Sequence, residues 1–461
     1  MDRKTQKPRQ SRPFRRCALL TSLLLVLAVA ARTRLAGAQD QVYTGTNQGV
    51  ATIRLAVTDF KPLAAEPQSG TLKQVFDKTL YSDLQNAGVF DLVSKSMLPP
   101  GTPGAPSEMH TAAYAAAPAN AAFVGFGSLG VIGGRLVANG FVYDTRNAQT
   151  PAVIAKQYSE EPSEESARLV AHRFADEIIL RLGGGIPGIA ETKIYYVHVA
   201  GGNKEIWAMD YDGANQHAVT HLGTISISPR ISPDNTRLAF SSLGRNGFQI
   251  RMFSLVLGRP VAFPEVGGTN VSPAWSPDGR QVAYSSSRTG DPEIWISDPS
   301  GADARRVTSF RGPDVSPVFN PKSGAQIAWI SGRTGLPQLY IMSADGSNVQ
   351  PMTDGGYATS PSWSPNGQAI AFAWNRKYGP GAPGGQDIYV MDVTTKRWVQ
   401  LTHDSGRCDF PSWSPDGRHI VYANSPDGRA EHMRIWTMLA DGSERHPLTG
   451  PGNDMPNWSW K

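Results

Sequence analysis

Cysteine, charge and long apolar runs are all scarce in this chain of 461 residues. It holds two cysteines, and Cys17 lies in an N-terminal segment that we expect to be removed, so Cys408 has no partner for an internal disulfide. Charged residues make up 18% of the chain. Residues 1–38 carry nine of the 44 basic residues but one acid, which leaves 35 basic against 38 acidic residues in the remainder. This balance excludes a nucleic-acid binder, which depends on dense positive charge.

An apolar run near the N-terminus has the features of an export signal. Basic residues through Arg16 precede the apolar segment Cys17–Ala31, and the small residues Ala36–Ala38 follow it. The apolar segment has about 15 residues, fewer than the roughly 20 that cross a bilayer as a helix. The pattern predicts a signal peptide over residues 1–38 and a periplasmic protein. An uncleaved anchor is the alternative, because two arginines lie close to the cleavage site.

The part of the chain that follows the signal divides into a short arm and a small domain. Residues 39–50 are polar and hold two glycines, which favours a flexible N-terminal arm. The spacing of apolar residues predicts an α/β domain over residues 51–186, with helices over Leu72–Asn86 and Ser163–Leu182. The glycine-rich motif Gly125–Gly130 is interpreted as a β-turn, because the segment after it is strand-like and a nucleotide-binding loop requires a helix there.

Residues 187–461 repeat a short motif, which is proline, any residue, an apolar residue and then a turn such as Ser-Pro-Asp-Gly. Proline and glycine suit this turn because they supply its fixed and its positive φ angles. The apolar position recurs at spacings of 44, 44, 44, 50 and 45 residues. It is occupied by Ile231, Trp275, Phe319, Trp363, Trp413 and Trp458. Periods of about 40–50 residues with strand-like content are typical of β-propeller blades.

The first and last repeats indicate how the propeller closes. The last motif, Pro456–Trp460, has no further strands after it, and the repeat that begins at Lys193 has no such strand before it. We therefore expect the C-terminal strand to join the first blade. The predicted fold is an all-β six-bladed β-propeller preceded by the small α/β domain. Burial of Trp458 and the new ladder hydrogen bonds would stabilise the closed ring by several kcal/mol.

Catalytic and metal-binding motifs are missing from the sequence. It contains no G-x-S-x-G, which disfavours a serine hydrolase. His217 and His221 lie four residues apart but have no H-E-x-x-H and no third ligand in a motif. Asp210–Gly213 resembles the start of a calcium loop but lacks its closing glutamate, so we interpret it as a hairpin turn. We predict a protein that is not an enzyme and has no cofactor.

Five polar residues stand four or five positions before the apolar residue of their repeats. They are Asn270, Asp314, Thr359, Asp409 and Asp454. We expect the loops that hold them to crowd one mouth of the central channel, where propellers bind ligands. Ordinary solvated loop residues are the alternative. The carboxylates at this mouth would also suit a calcium ion in the channel.

Four segments carry the most specific similarity to a known family: Ala171–Ile178, Gly185–Gly188, Thr192–Val197 and Asp210–Gln216. Together with the export signal, the α/β domain and six blades, they resemble the TolB family, the periplasmic components of the Tol–Pal system. The resemblance implies an adaptor that is not an enzyme. Its propeller mouth would bind the lipoprotein Pal and its N-terminal arm the inner-membrane protein TolA. Through Pal it would associate peripherally with the outer membrane and support membrane integrity and invagination during cell division.

The resemblance also implies which residues contact these partners, by their position before the first strand of each blade. The Pal-binding residues would be Thr269, Asn270, Ser272, Asp314, Val315, Ser316, Thr359 and Ser360, with Asp409 and Asp454 at the same mouth. The TolA-binding residues would be Gln39, Asp40, Gln41, Val42 and Tyr43.

Two other functions stay open at this point. A periplasmic binder of small ligands or sugars would use aromatic residues such as Trp374 and Tyr378, around the longer insertion in the fifth repeat. An accessory domain of a peptidase or lyase would need a nucleophile or a metal cluster, and no sequence motif indicates one.

Overall fold

The computed structural model describes residues 52–63, 67–379, 385–403 and 405–460. Within these ranges the chain forms an α/β region followed by six four-stranded sheets. The predicted signal peptide and arm lie outside the described residues, and so do Gln39, Asp40, Gln41, Val42 and Tyr43. No helix in the described ranges is both long enough and apolar enough to cross a membrane.

The α/β region packs two long helices against one face of a mixed sheet. Its strands are β1 (Ile53–Val57), β2 (Lys61–Pro62), β3 (Phe90–Leu92), β4 (Phe123–Ile132), β5 (Arg135–Asp144) and β6 (Ala152–Glu160). Its helices are α1 (Pro67–Asn86), α2 (Thr111–Ala115) and α3 (Glu164–Leu182), with 3₁₀ turns at Lys95–Met97 and Pro106–Glu108. The strand order is β3-β1-β4-β5-β6, with β2 beside β4. Strand β1 pairs in parallel with β3 and with β4, and β2 also pairs in parallel with β4. Strand β5 pairs antiparallel with β4 and with β6.

Apolar residues at helical spacing explain why α1 and α3 lie on the sheet. Leu72, Phe76, Leu80 and Leu84 of α1 are all buried in one cluster with the apolar face of α3. Helix α1 begins at Pro67, five residues before the predicted start. The Ser163 hydroxyl caps α3 by accepting a hydrogen bond from the Ser166 N–H at 3.1 Å, as its sequence pattern suggests.

The glycine-rich segment Gly125–Gly130 belongs to β4, so its interpretation as a turn is wrong. The turn lies later, at Gly133 and Gly134, which both have positive φ. The glycines inside the sheet serve close packing instead. A Cβ atom on Gly127 would come within 2.8 Å of the Phe60 ring, and one on Gly140 of β5 within 2.7 Å of the Phe174 ring.

Six antiparallel sheets make up the rest of the described chain. The first contains β7 (Lys193–Ala200), β8 (Asn203–Asp210) and β9 (His217–Ala218), and its innermost strand is β30 (Asn453–Trp458). The second contains β10 (Ser226–Ile231), β11 (Arg237–Gly244), β12 (Gly247–Ser254) and β13 (Arg259–Val261), and the third β14 (Asn270–Trp275), β15 (Val282–Ser286), β16 (Glu293–Ser297) and β17 (Arg305–Arg306). The fourth contains β18 (Asp314–Phe319), β19 (Gln326–Ser331), β20 (Gln338–Ser343) and β21 (Gln350–Pro351), and the fifth β22 (Tyr357–Trp363), β23 (Ala369–Asn375), β24 (Asp387–Asp392) and β25 (Trp398–Gln400). The sixth contains β26 (Arg407–Trp413), β27 (His419–Ser425), β28 (Arg434–Leu439) and β29 (His446–Pro447), with a 3₁₀ turn at Ala430–His432.

The C-terminal strand closes the ring, so the predicted six-bladed propeller is confirmed. Strand β30 pairs antiparallel with β7, and Trp458 lies opposite Ile194. The Trp458 side chain is 3% exposed, and its Nε1 donates to the Thr192 hydroxyl at 2.7 Å. Trp460 continues the closure, because its Nε1 donates to the Ile231 carbonyl of the next blade at 3.2 Å.

The apolar position of each repeat lies between neighbouring blades. Two of the motif tryptophans donate a hydrogen bond to the inner strand of the preceding blade. Trp275 Nε1 donates to the Arg230 carbonyl at 3.1 Å, and Trp363 Nε1 donates to the Val318 carbonyl at 3.1 Å. All six residues at this position are between 2% and 6% exposed. The repeated motif therefore joins each blade to its neighbour as well as forming a turn.

Candidate functional site

The inner strands β10, β14, β18, β22, β26 and β30 line the central channel, and all six share one irregularity. The residue before the motif proline has a positive φ of 49–55° in every blade. At each of these places the pairing with the second strand shifts by one residue, which is a β-bulge. The bulge residues are Ser228, Ser272, Ser316, Ser360, Phe410 and Met455. Because non-glycine residues rarely hold such φ values, the ring of bulges is a strongly specified feature of the channel mouth.

The bulges change which side chains reach the channel. In five of the six strands both the bulge residue and the residue before it are partly exposed instead of alternating between buried and exposed, and in β26 Phe410 is partly exposed while Asp409 is buried. Since the open side of an innermost blade strand faces the channel, both positions contribute to its lining. The resemblance assigned contacts to Ser272, Ser316 and Ser360 but not to Ser228, Phe410 and Met455, although each of these three also directly precedes a motif proline.

Asn270 and Asp314 hold the first position of their strands and are buried, at 1% and 0% exposure. Asn270 Nδ2 donates to Gln249 Oε1 of the neighbouring blade at 3.1 Å and to the Gly268 carbonyl at 3.2 Å. The Asp314 carboxylate accepts from Arg333 Nη2 at 3.2 Å. The expectation that these two residues lie in loops at the mouth is therefore wrong. Their buried side chains hydrogen-bond to neighbouring residues at the start of the inner strands.

Thr359 and Asp409 are the third residues of their strands, one position closer to the apolar motif residue than Asn270 and Asp314, and they border the channel together. The Asp409 Oδ1 atom accepts from Ser360 Oγ at 2.8 Å and from Thr359 Oγ1 at 3.2 Å, which links two neighbouring blades. Its Oδ2 atom accepts from Arg407 Nη2 at 3.0 Å. Both residues lie inside strands and not in the loops where they were expected. The carboxylate at this mouth is thus held by three side-chain donors.

Asp454 is the second acid of the channel and is placed like Asp409 in the adjacent inner strand. Its Oδ1 atom accepts from the Met455 N–H at 2.8 Å, as Asp409 does from Phe410 at 2.9 Å. Burial, with the nearby Asp409 charge adding to it, raises the pKa of Asp454 to about 6. The two acids, of which Asp409 is paired with Arg407, lie on one side of the mouth, whereas Ser272, Val315 and Ser316 leave the other side neutral.

The raised pKa of Asp454 predicts a pH-dependent stability. The native state favours the protonated carboxyl, so this contribution is present below the ordinary pKa of 3.8 and is lost as the pH rises through about 6. We expect Asp454→Asn to stabilise the protein at pH 7.5 by on the order of 1–3 kcal/mol relative to wild type, and to have little effect at pH 4. Urea unfolding at both pH values measures this. Asp303→Asn, at an exposed turn, is the control, and an Asp454→Asn effect of equal size at both pH values would contradict the argument.

Thr269 is exposed just before β14, and Ser272, Val315, Ser316 and Ser360 are partly exposed at their bulges. The structure therefore brings these predicted contact residues to one end of the channel with Thr359, Asp409 and Asp454. Among the described residues no group of three or more His, Cys, Asp or Glu side chains is placed to hold a metal ion. The calcium hypothesis would depend on Asp409 and Asp454 as the channel carboxylates.

The other residues singled out in the sequence lie elsewhere. Trp374 is 4% exposed, packs in the core of the fifth blade and donates from Nε1 to the Gly355 carbonyl at 2.8 Å, so it offers no face to a sugar. Tyr378 is half exposed. His217 and His221 are exposed on the first blade. Burial raises the pKa of the Cys408 thiol to about 11, the opposite of what a nucleophile needs.

A comparison with protein families matches residues 181–461 to the TolB β-propeller domain. The chain belongs to the TolB family. Its resemblance to that family, carried in the sequence by segments in and around the first blade, is thus confirmed over most of the chain. A crystal structure of TolB from Acinetobacter baumannii has the same fold, with a TM-score of 0.73 and 23% identity over 89% of this chain and 97% of that one.

The matches between this chain and curated TolB relatives cover a part of each relative's length. The TolB homolog of Chlorobium luteolum is 32% identical over 272 residues, which is 58% of this chain and 60% of the relative. The Tol-Pal system protein TolB of Actinobacillus succinogenes is 30% identical over 252 residues, 52% of this chain and 55% of the relative. The chain therefore spans less than two thirds of these TolB relatives.

Proposed function

We propose that this protein is a periplasmic adaptor of the Tol–Pal system and not an enzyme. It binds the lipoprotein Pal at the channel mouth formed by the bulge residues and their neighbours. The observation that carries this proposal is the ring of six bulges, all in the same conformation, at one end of the propeller. Membership of the TolB family and relatives named as Tol-Pal system proteins support it.

A preformed rim suits protein binding because little conformational freedom is lost on association. The side chains at the bulges are small and polar in four consecutive blades, which lets a partner approach the backbone. In the next two blades Phe410 and Met455 offer partly exposed apolar groups at the same position. An apolar group beside polar contacts is the usual composition of an interface centre.

The remaining parts of the proposal concern the second partner and the cell envelope. TolA binds the arm, residues 39–50, with Gln39, Asp40, Gln41, Val42 and Tyr43 as the contacts. Binding to Pal associates the protein peripherally with the outer membrane. The adaptor thereby supports outer-membrane integrity and invagination during cell division.

Two arginines at the neutral side of the mouth test the Pal site. Ser272→Arg combined with Ser316→Arg should weaken binding of the soluble domain of Pal at least about tenfold, because bulky charges then occupy the rim. Phe410 and Met455 hold the equivalent position with the same φ, so a large side chain is compatible with the bulge. Isothermal titration calorimetry measures the Kd.

The matched control is Asn348→Arg. Asn348 also has a positive φ and gains one charge, but it lies in an exposed turn at the outer edge of a blade. It should leave the Kd and the circular dichroism spectrum unchanged. If the double variant folds normally and binds Pal as wild type does, the partner contacts a different surface.

A further inference from the structure

The channel ends in a second site, a cavity of about 290 Å³ at the turn side of the propeller. One residue per inner strand, directly before the apolar motif position, borders it: Arg230, Ala274, Val318, Ser362, Ser412 and Asn457. Motif tryptophans and the prolines of the turns surround them, including Trp363, Trp413, Pro365 and Pro415. In each inner strand the residue at the cavity follows the bulge residue by two positions, roughly 7 Å at about 3.3 Å per residue. The cavity therefore lies in the same channel as the proposed Pal site, next to it on the turn side.

Arg230 departs from the pattern of its five equivalents, which are all small or neutral. Among the described residues that border the cavity it is the charged one. Its Nη1 donates to the Pro229 carbonyl at 2.8 Å, and within the described part of the chain the structure gives it no carboxylate partner. Burial lowers the pKa of this guanidinium to about 10.

A guanidinium has five N–H donors, so most of those on Arg230 remain available for a ligand. Their planar arrangement matches the two oxygens of a carboxylate. One cation balances one negative charge. A second negative charge on the ligand is disfavoured by Asp409 and Asp454. These residues stand three positions before Ser412 and Asn457, which border the cavity, and three positions of a strand span about 10 Å at about 3.3 Å per residue.

The rest of the cavity selects for an apolar group. Tryptophan and proline side chains dominate its wall, and such surfaces bind aliphatic and aromatic groups by excluding water. Its volume equals that of about ten water molecules at about 30 Å³ each, which fits a ligand of about a dozen non-hydrogen atoms.

We propose that this cavity binds a small monocarboxylate with one apolar or aromatic group, whose carboxylate pairs with Arg230 while the apolar group packs against the motif tryptophans. A free acid and the carboxyl end of a peptide chain share this chemistry. The proposal does not depend on Pal binding at the bulges.

Titration of the full-length protein with N-acetyl-L-phenylalanine tests the proposal, followed by calorimetry and by the fluorescence of the cavity tryptophans. We expect the acid to bind at least about tenfold more tightly than N-acetyl-L-phenylalaninamide, which has the same shape without the charge. Arg230→Ser should reduce the affinity for the acid to that for the amide. Serine occupies this position in two other blades, so the variant keeps a residue that the fold accepts there.

Two further variants separate binding from folding. Arg259→Ser removes an exposed arginine from the outer strand β13 and should leave the affinity unchanged. Val318→Phe fills the cavity without changing charge and should abolish binding. Circular dichroism confirms that each variant is folded.

The outcomes distinguish the ligand sources. A peptide that ends in phenylalanine, with a free or an amidated carboxyl end, is tested in parallel. Binding of the free-ended peptide as well as the acid supports a chain terminus as the ligand, and binding of the acid alone supports a small molecule. The proposal is overturned if wild type does not bind the acid at millimolar concentration, if acid and amide bind equally, or if inorganic phosphate binds as tightly as the acid.

Discussion

Asp83→Ala should destabilise the protein by about 3–5 kcal/mol, because it removes the one acceptor shared by two buried groups. Asp83 lies on α1, and its Oδ2 atom is 2.8 Å from His172 Nδ1 of α3. Its Oδ1 atom accepts from the Tyr211 hydroxyl at 2.6 Å, which reaches it from the turn after β8 in the first blade. All three side chains are at most 5% exposed. The substitution leaves an imidazole and a phenol buried without their partner.

The measurement is urea unfolding of the full-length variant, with the free energy of unfolding compared at neutral pH. The matched control is Asp91→Ala, which removes a carboxylate 2.6 Å from Arg54 where the two side chains are 48% and 33% exposed. Exposed pairs contribute little, so we expect a loss of at most about 1 kcal/mol there. Equal losses in the two variants would show that the buried carboxylate does not join the α/β region to the propeller as argued.

Trp458→Ala should destabilise the protein by a similar amount, about 3–5 kcal/mol, because it leaves a cavity where the ring closes. The indole is 3% exposed, and it packs against Ile194 and Val421 in the cluster that joins the first and last blades. The substitution also removes the donor to the Thr192 hydroxyl. Since the closing strand β30 makes its ladder contacts beside this residue, we expect the first blade to become accessible to protease before the others.

Limited proteolysis and urea unfolding together measure this effect. Trp398→Ala is the control, since Trp398 is 37% exposed on the outer strand β25 and packs within one blade. We expect less than half the destabilisation and no selective cleavage of the first blade. If Trp458→Ala unfolds no more readily than Trp398→Ala, the C-terminal strand does not hold the ring closed.

The repeat number and the closure could be derived from the sequence because the motif is local. Proline, an apolar residue and a turn recur within a few positions, so their spacing can be counted without knowing any distant contact. The unpaired first and last repeats then left one way for the ring to close. The pairing of β30 with β7 is that arrangement.

The channel residues could be predicted less well because one residue of offset changes the environment of a side chain. Asn270 and Asp314 stand five residues before the apolar position and are buried at the start of their strands, whereas Thr359, Asp409 and Asp454 stand four before it, directly before the bulge residue, with Asp409 buried and the other two partly exposed. Side chains in a strand alternate between faces, and the bulge interrupts that alternation at a position that the repeat spacing does not mark. Similarly, Gly125–Gly130 has turn-like composition, but its place in β4 follows from the rings packed on it.

By itself the sequence determined the class of fold, the six blades, the closing strand and the family, since each depends on patterns that recur along the chain. The tertiary structure alone decided which side chains meet. His172 and Tyr211 are 89 and 128 residues away from Asp83, whose carboxylate they share. Within the described part of the chain Arg230 has no carboxylate partner, because the equivalent residues of the other five blades are small or neutral. Contacts between side chains of distant strands depend on the register of those strands, which the local order of residues does not specify.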